Sequence, residues 1–369
     1  MTVHLLPRTL KRLTERITKS AQPSPESEPT DTPAERSQSQ RAGDSGAETA
    51  SATVDCRVLN VVFSTPNERP GGASRAGLLF GDHLASHTTV DNVKMQTDYD
   101  KELINDLELD HSVTLIPVRD KIRDCIASVQ PSMAKHANTL VWTDLESFEI
   151  SDYDVVHMHN PVPLFGMLAV ALKCKLASVP YCVTTHAISK VPDIPESMEM
   201  STLEETAFSI GFLRPYLWVL RNAACLFALS ERDRTDLVER FPSQRIKVIS
   251  NGVRLNPPTG ESSASVEAAT GIPPERSLVL FVGRIAPDKG VGDMLDTYDR
   301  LEEDCTFVLA GPLHDSPYGE RLETYDSDKI QCLGYTNESL LKKLYQRADL
   351  FFFPTRTDVF PLVVLEAMA

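Results

Sequence analysis

The sequence predicts an α/β protein built from two doubly wound domains in tandem, each a parallel sheet covered by helices on both faces. Three observations carry this. Short apolar runs recur along most of the chain with helical stretches between several of them, the pattern of strands buried on both faces. The 369 residues suffice for two domains. A stretch rich in Pro, Gly and Ser, 251–277, divides the alternating series in two and reads as an interdomain link.

The chain opens on a small amphipathic segment. Leu6, Leu10, Leu13 and Ile17 form one helical stripe, with Arg8, Lys11, Arg12, Arg16 and Lys19 around it. Such a basic helix suits docking to an anionic membrane surface or a partner; the alternative is a nascent helix in a floppy tail. Residues 20–54 hold almost no large apolar side chain. They cannot bury enough surface to offset their ordering entropy, so a disordered tail is expected there. The expected division is therefore 1–54 as tail, 55–253 as first domain and 254–369 as second.

In the first domain, strands are expected at 58–63, 113–118, 155–158, 181–184, 225–229 and 246–249. Helices are expected after the loop at 66–75 through Leu84, at 165–176 and at 232–240. In the second, strands are expected at 278–282, 307–310, 330–333 and 350–353, with helices at 294–301 and 340–345. The chain ends in a further helix, without a cap, so the second domain is expected to be incomplete.

Composition narrows the function. At 41% hydrophobic and 24% charged, the chain has apolar material for two cores. A formal charge of −15 argues against a nucleic-acid binder, which needs a basic face. The acidic balance, with Arg exceeding Lys, points to a high-salt cytoplasm. The 7 cysteines are odd in number, lack a CxxC pair and lie mostly in strand-like runs (Cys182, Cys225, Cys305), as reduced core thiols do. No apolar run approaches bilayer-spanning length and no secretory signal is present. The expected location is the cytoplasm, peripheral to the inner membrane face if the basic helix docks.

In doubly wound sheets ligands bind beyond the carboxyl ends of the strands, so the loops there carry the chemistry. After the strand at 278–282 comes Gly283-Arg284-Ile285-Ala286-Pro287-Asp288-Lys289-Gly290, opening onto a helix. Arg forks across two oxygens, Lys adds a point charge and the helix end adds donors, a set suited to a diphosphate. After the strand at 350–353 come Asp358 in a loop, Pro361 in the first turn of a helix, and Glu366 further along it. A carboxylate such as Glu366 accepts two hydrogen bonds from a vicinal diol. In the first domain Gly71-Gly72 follows the first strand, leaving room for a ligand against the backbone. There is no G-x-G-x-x-G, no P-loop and no zinc spacing.

The run Asp358-Val-Phe360-Pro-Leu362-Val-Val-Leu-Glu366-Ala-Met-Ala resembles the E-x₇-E motif of the retaining, nucleotide-sugar-dependent glycosyltransferases of family 4, with Asp for the first Glu. The Gly-Arg…Lys-Gly loop, Asp154-Val-Val-His157-Met-His159, Thr185-His186, Ser230-Glu231 and Asn251-Gly252-Val253 resemble the same family from about Val58 onward. Arg254 stands where the family often has Asp.

The resemblance implies a GT-B fold, two facing Rossmann-like domains with the substrate cleft between them. It implies transfer of a sugar, with retention, from a UDP- or GDP-sugar to a hydroxyl of an acceptor sugar, lipid or small molecule, without metal or other cofactor. Arg284 and Lys289 are then implied to hold the donor's diphosphate and Glu366 the ribose. Asp358 and His186 would be the catalytic-side residues at the donor sugar. The backbone N–H groups of Phe360 and Leu362 would reach that sugar, and Gly72 would lie by the donor. His157 and His159 are taken as packing or loop residues. Asp358 is one methylene shorter than Glu. Family members continue past the second acid with further strands and helices, so an inactive or split remnant is the alternative, and a sugar-nucleotide epimerase on the same architecture is a more distant one.

Overall fold

The computed structural model describes residues 56–64, 71–119, 142–143, 147–159, 164–186, 202–254, 262–302, 304–313 and 316–369. The amphipathic segment and the tail expected over 1–54 lie outside the described residues.

The first domain runs β1 (Arg57–Val62), α1 (Gly72–Ala85), β2 (Thr89–Met95), α2 (Asp100–Leu107), β3 (Val113–Ile116), the short antiparallel pair β4 (Val118–Arg119) and β5 (Trp142–Thr143), then β6 (Val155–His159), α3 (Leu164–Ala177) and β7 (Tyr181–Thr184). It continues with α4 (Thr202–Phe208), which passes through a π turn, Ser209–Leu213, into α5 (Arg214–Asn222), and closes with β8 (Cys225–Ala228), α6 (Glu231–Arg240) and β9 (Ile246–Val248). Seven strands form one parallel sheet in the order β3-β2-β1-β6-β7-β8-β9. The order reverses between β1 and β6, and that switch point opens a crevice beyond their carboxyl ends.

β1 and β6 read clearly in the sequence because both faces are covered: Val58–Val62 and all five residues of β6 are buried. β2 escaped the pattern because it holds Asn92 and Lys94 in the sheet. Asn92 finds its partners on β1 and α1, and Lys94 finds its own six residues further along. Asn60 Nδ2 donates to Asn92 Oδ1 (2.8 Å) and to Gly77 O (3.0 Å), and Asn92 Nδ2 donates to Leu78 O (3.2 Å). Lys94 is fully buried and pairs with Asp100 at the start of α2, whose carboxylate also accepts from the Thr97 backbone at 2.6 Å. Burial lowers the Lys94 pKa, and Asp100 opposes this. Small side chains bring α1 down onto this network: a Cβ at Gly81 would stand 2.4 Å from Asn60 Nδ2.

The second domain comprises α7 (Ser262–Thr270), β10 (Ser277–Val282), α8 (Val291–Tyr298), β11 (Cys305–Ala310), α9 (Gly319–Leu322), β12 (Ile330–Gly334), α10 (Glu338–Arg347), β13 (Leu350–Phe351) and α11 (Leu362–Met368). Its parallel sheet has the order β12-β11-β10-β13, with a reversal at β10/β13. Phe281, Met294, Leu295 and Phe307 fill one face; Val266, Leu278, Leu280, Val308 and Leu344 fill the other.

This corrects the reading of 251–277 as a link. Residues 262–270 form a helix whose Val266 is buried in the second core, and Gln331 Nε2 donates to Thr270 O at 2.9 Å. The segment is too small and polar to show a stripe; tertiary packing makes the helix. Pro361 likewise sits one position before α11 and not in its first turn. Arg254 anchors the crossing chain to the first domain, 2.7 Å from Asp82 and 3.0 Å from Asp110. Of the described cysteines, Cys56, Cys174, Cys182, Cys225 and Cys305 are buried, whereas Cys332 is exposed. No helix among the described residues is long and apolar enough to cross a membrane.

Candidate active site

The switch point of the second domain brings the two motif loops together. From β10 the chain passes Gly283, turns through a single 3₁₀ turn, Pro287–Lys289, and enters α8 through Gly290, which is left-handed at φ 73. From β13 it passes 354–361 into α11. The loops interlock through backbone: Arg356 N donates to Asp288 O (3.2 Å), and Pro354 O stands where a Cβ on Gly290 would come, 2.0 Å away.

Within this frame Lys289 Nζ lies 2.7 Å from each oxygen of Asp358 and 3.7 Å from Asp288. The Thr355 hydroxyl also donates to Asp358. Arg284 is 64% exposed and reaches Asp288 at 3.0 Å. The sequence suggested two cations beside a separate sugar-side acid; the structure pairs each cation with an acid. The pairings differ in strength. An exposed ion pair is worth about 0–1 kcal/mol, so Arg284 is held loosely and can turn to an anionic ligand. Lys289 is fixed by a two-oxygen contact in a part-buried loop junction, which presents its ammonium in one place.

Glu366 lies on α11, as its spacing from Asp358 implied, but it does not face open solvent. Tyr345 Oη donates to Glu366 Oε2 at 3.0 Å. Arg75, in the first turn of α1, crosses from the first domain to Glu338 (3.0 Å) and Glu366 (3.5 Å); all three side chains are at most 20% exposed. Burial raises the Glu366 pKa, while Arg75 works in the opposite direction. Further contacts cross the cleft: Tyr335 Oη to Asp106 (3.1 Å), Lys342 to Glu108 (3.5 Å), and Asn251 Nδ2 to Phe360 O (3.0 Å). Sequence reasoning missed Arg75, Glu338, Tyr345 and Thr355. For Arg75 the available signal was its place four residues after Gly71, just inside the helix that leaves the first crevice.

Arg75→Ala is expected to cost about 1–3 kcal/mol, because it leaves two half-buried carboxyl groups facing each other without their cation. A chemical-denaturation midpoint checks this. A midpoint equal to that of the unmodified protein would remove Arg75 from the interdomain network.

On the first-domain side, Gly71 has an ordinary φ of −80, and among the described residues a Cβ on Gly71 or Gly72 would meet no atom within 4 Å. His157 and His159 are not loop residues: both lie on β6 and are buried. His157 Nε2 is 2.7 Å from Thr184 Oγ1, as befits a packing residue. His159 instead meets His186, with its Nδ1 3.4 Å from His186 Nε2. His186 follows β7 at φ 34, a backbone region rare outside glycine. Burial pushes His157 down to about 3 and His186 down to about 4, and lowers His159 as well, so all three rings are neutral near pH 7.

Two facing doubly wound domains, with paired cation and acid loops at the switch point of the second, define a protein of the GT-B class. Residues 118–256 match the family model Glycosyltransferase Family 4, residues 263–369 match Glycosyl transferases group 1, and with the fold these support a GT-B group 1 glycosyltransferase. The chain is 25% identical over 233 residues to an uncharacterized glycosyltransferase of Methanocaldococcus jannaschii, covering 60% of this chain and 56% of that one. It is 28% identical over 225 residues to a D-inositol 3-phosphate glycosyltransferase of a Mycobacterium species, covering 59% and 49%. The chain thus spans about half the length of these curated relatives. Among solved structures it resembles HepE of Anabaena in complex with UDP-glucose (TM-score 0.59, 18% identity, 85% of this chain and 78% of that one). It also resembles sucrose-phosphate synthase of Thermosynechococcus elongatus (TM-score 0.54, 18% identity, 85% and 79%).

Proposed function

We propose that this protein transfers a sugar, with retention, from a nucleoside diphosphate sugar to an acceptor hydroxyl. The observation that carries the reading is the junction of the 283–290 and 354–361 loops, where Lys289 is fixed between Asp358 and Asp288 beside the loosely held Arg284. As the bond from the anomeric carbon to the diphosphate breaks, its electron pair leaves on the diphosphate, a bond to the acceptor oxygen forms, and the acceptor's hydroxyl proton passes to the departing diphosphate. The charge that develops on the departing group is what Arg284 and Lys289 stabilise. These cations belong to the chain, and the reading assigns no role to a metal. Glu366 takes the ribose diol, and His186 with Asp358 contacts the sugar. Gly72 and the N–H groups of Phe360 and Leu362 line the same space.

That HepE was crystallised with UDP-glucose supports uridine as the base to try first. Titration calorimetry with UDP and with GDP tests the donor site directly. One of the two is expected to bind, and Arg284→Ala is expected to weaken it about 10-fold or more, as for loss of a charge-assisted bond to a phosphate. A folded sample that binds neither, with Arg284→Ala indistinguishable from it, would remove the reading.

A further inference from the structure

Three histidines meet at the end of the first-domain sheet. The ring centroids of His157 and His159 lie 4.0 Å apart, and those of His159 and His186 5.7 Å apart. They do not converge on a common point, and among the described residues no cluster of His, Cys, Asp or Glu is arranged to hold a metal ion. They form a row that runs from β6 to His186, just beyond the carboxyl end of β7. His157 ties its Nε2 to Thr184, with the edges of Phe80 and Phe227 against it. His159 is held from the other side: a Cβ on Gly77 of α1 would stand 2.9 Å from His159 Cβ and Cγ, so the helix backbone rests directly on this ring. Its Nδ1 meets His186 Nε2, while its Nε2 is buried with no hydrogen-bond partner among the described residues.

This asymmetry decides where the protons sit. A neutral imidazole carries one N–H, and exactly one proton can lie between His159 and His186. If His186 donated, His159 would carry its own proton on Nε2, as a buried N–H with no acceptor. If His159 donates, its Nε2 is a bare lone pair. Orphaned buried donors are the rarer of the two. We propose that His159 is a positioning residue whose Nδ1–H donates to His186 Nε2, locking His186 in its δ-protonated tautomer. His186 then offers the cleft an N–H donor at Nδ1, which suits a sugar hydroxyl or phosphate oxygen and cannot act as a base there. His186 itself sits in a strained backbone region at φ 34, with its Nε2 edge on His159.

The inference rests on the proposed function for what His186 touches, but not for the tautomer itself. Long-range proton–nitrogen correlation spectra of the full chain, labelled with ¹⁵N-histidine, read the tautomer without substrate. His186→Gln identifies the His186 signals by their loss. The expected result is δ-protonated His186 in the unmodified protein and in His159→Asn, whose amide N–H replaces the donor. His159→Leu is expected to give mixed or ε-protonated His186, with a roughly tenfold lower kcat and a smaller change in donor KM; His159→Asn recovers most of that loss. An ε-protonated His186 in the unmodified protein, or a tautomer unchanged in His159→Leu, overturns the inference. If His159→Leu does not fold, the unmodified and His159→Asn spectra decide alone. δ-Protonated His186 in a protein that neither binds nucleotide nor transfers sugar would support the positioning and remove only the donor reading.

Discussion

Lys289→Ala is expected to lower kcat for sugar transfer by about 10²–10³-fold at saturating donor, the usual effect of removing one preorganised group from a developing charge. The effect follows from how the ammonium is fixed. A free lysine spends its time among many rotamers, whereas Lys289 meets both oxygens of Asp358 at 2.7 Å, and Asp358 is itself held by Thr355. In the proposed reaction the charge is therefore in place before the diphosphate departs and needs no reorganisation when it does. Asp358→Ala frees the same ammonium without deleting it, so its effect through Lys289 is the smaller of the two. Because the residues share one contact, the double variant is expected to lose less than the sum of the singles, with a coupling of about 0.5–3 kcal/mol. Steady-state kinetics on the three variants gives this cycle. A Lys289→Ala enzyme within about threefold of the unmodified kcat would place the transition-state charge elsewhere.

Sequence pattern reached the architecture where burial is uniform. β10 and β11 are apolar along almost their whole length, and β1 and β6 are buried along almost all of theirs around apolar runs, because helices cover both faces; such strands announce themselves. It failed where tertiary partners replace apolarity. β2 carries Asn92 and Lys94 into the sheet only because Asn60 and Asp100 wait for them, and neither partner is visible from β2 alone. α7 is a helix because Val266 finds Leu344, not because its own residues prefer one.

The site divides in the same way. Asp358, Glu366, Arg284 and Lys289 were legible because loop chemistry follows a strand at fixed spacing. That Lys289 holds Asp358, and that Arg75 holds Glu366 from the opposite domain, depends on side chains 69 and 291 residues apart in sequence. The same holds for His159, which by pattern is one more inward-facing residue of a buried strand. Only the packing of Gly77 and the position of His186 give it a direction.

The glycines of the two crevices separate a structural requirement from a ligand requirement, and a pair of substitutions exposes the difference. Gly290 sits at φ 73, and an added Cβ would come 2.0 Å from Pro354 O, a backbone atom that cannot rotate away. Gly290→Ala is therefore expected to destabilise the second domain by about 2–5 kcal/mol, the sum of a left-handed alanine and an overpacked contact. It should also push the 354–358 segment outward, carrying Asp358 away from Lys289, so the surviving folded fraction is expected to lose transfer activity as well. Gly72 is the opposite case. It begins α1, its Cβ would meet nothing within 4 Å among the described residues, and alanine is the better helix former. Gly72→Ala should leave stability within about 0.5 kcal/mol of the unmodified protein or raise it slightly. If it nevertheless weakens nucleotide-sugar binding in calorimetry with stability unchanged, the methyl group is meeting ligand, since no atom of the described residues is there to meet. Full affinity in Gly72→Ala would take the first crevice's backbone off the donor, and a Gly290→Ala midpoint unchanged in denaturant would show that the two motif loops do not interlock through Pro354.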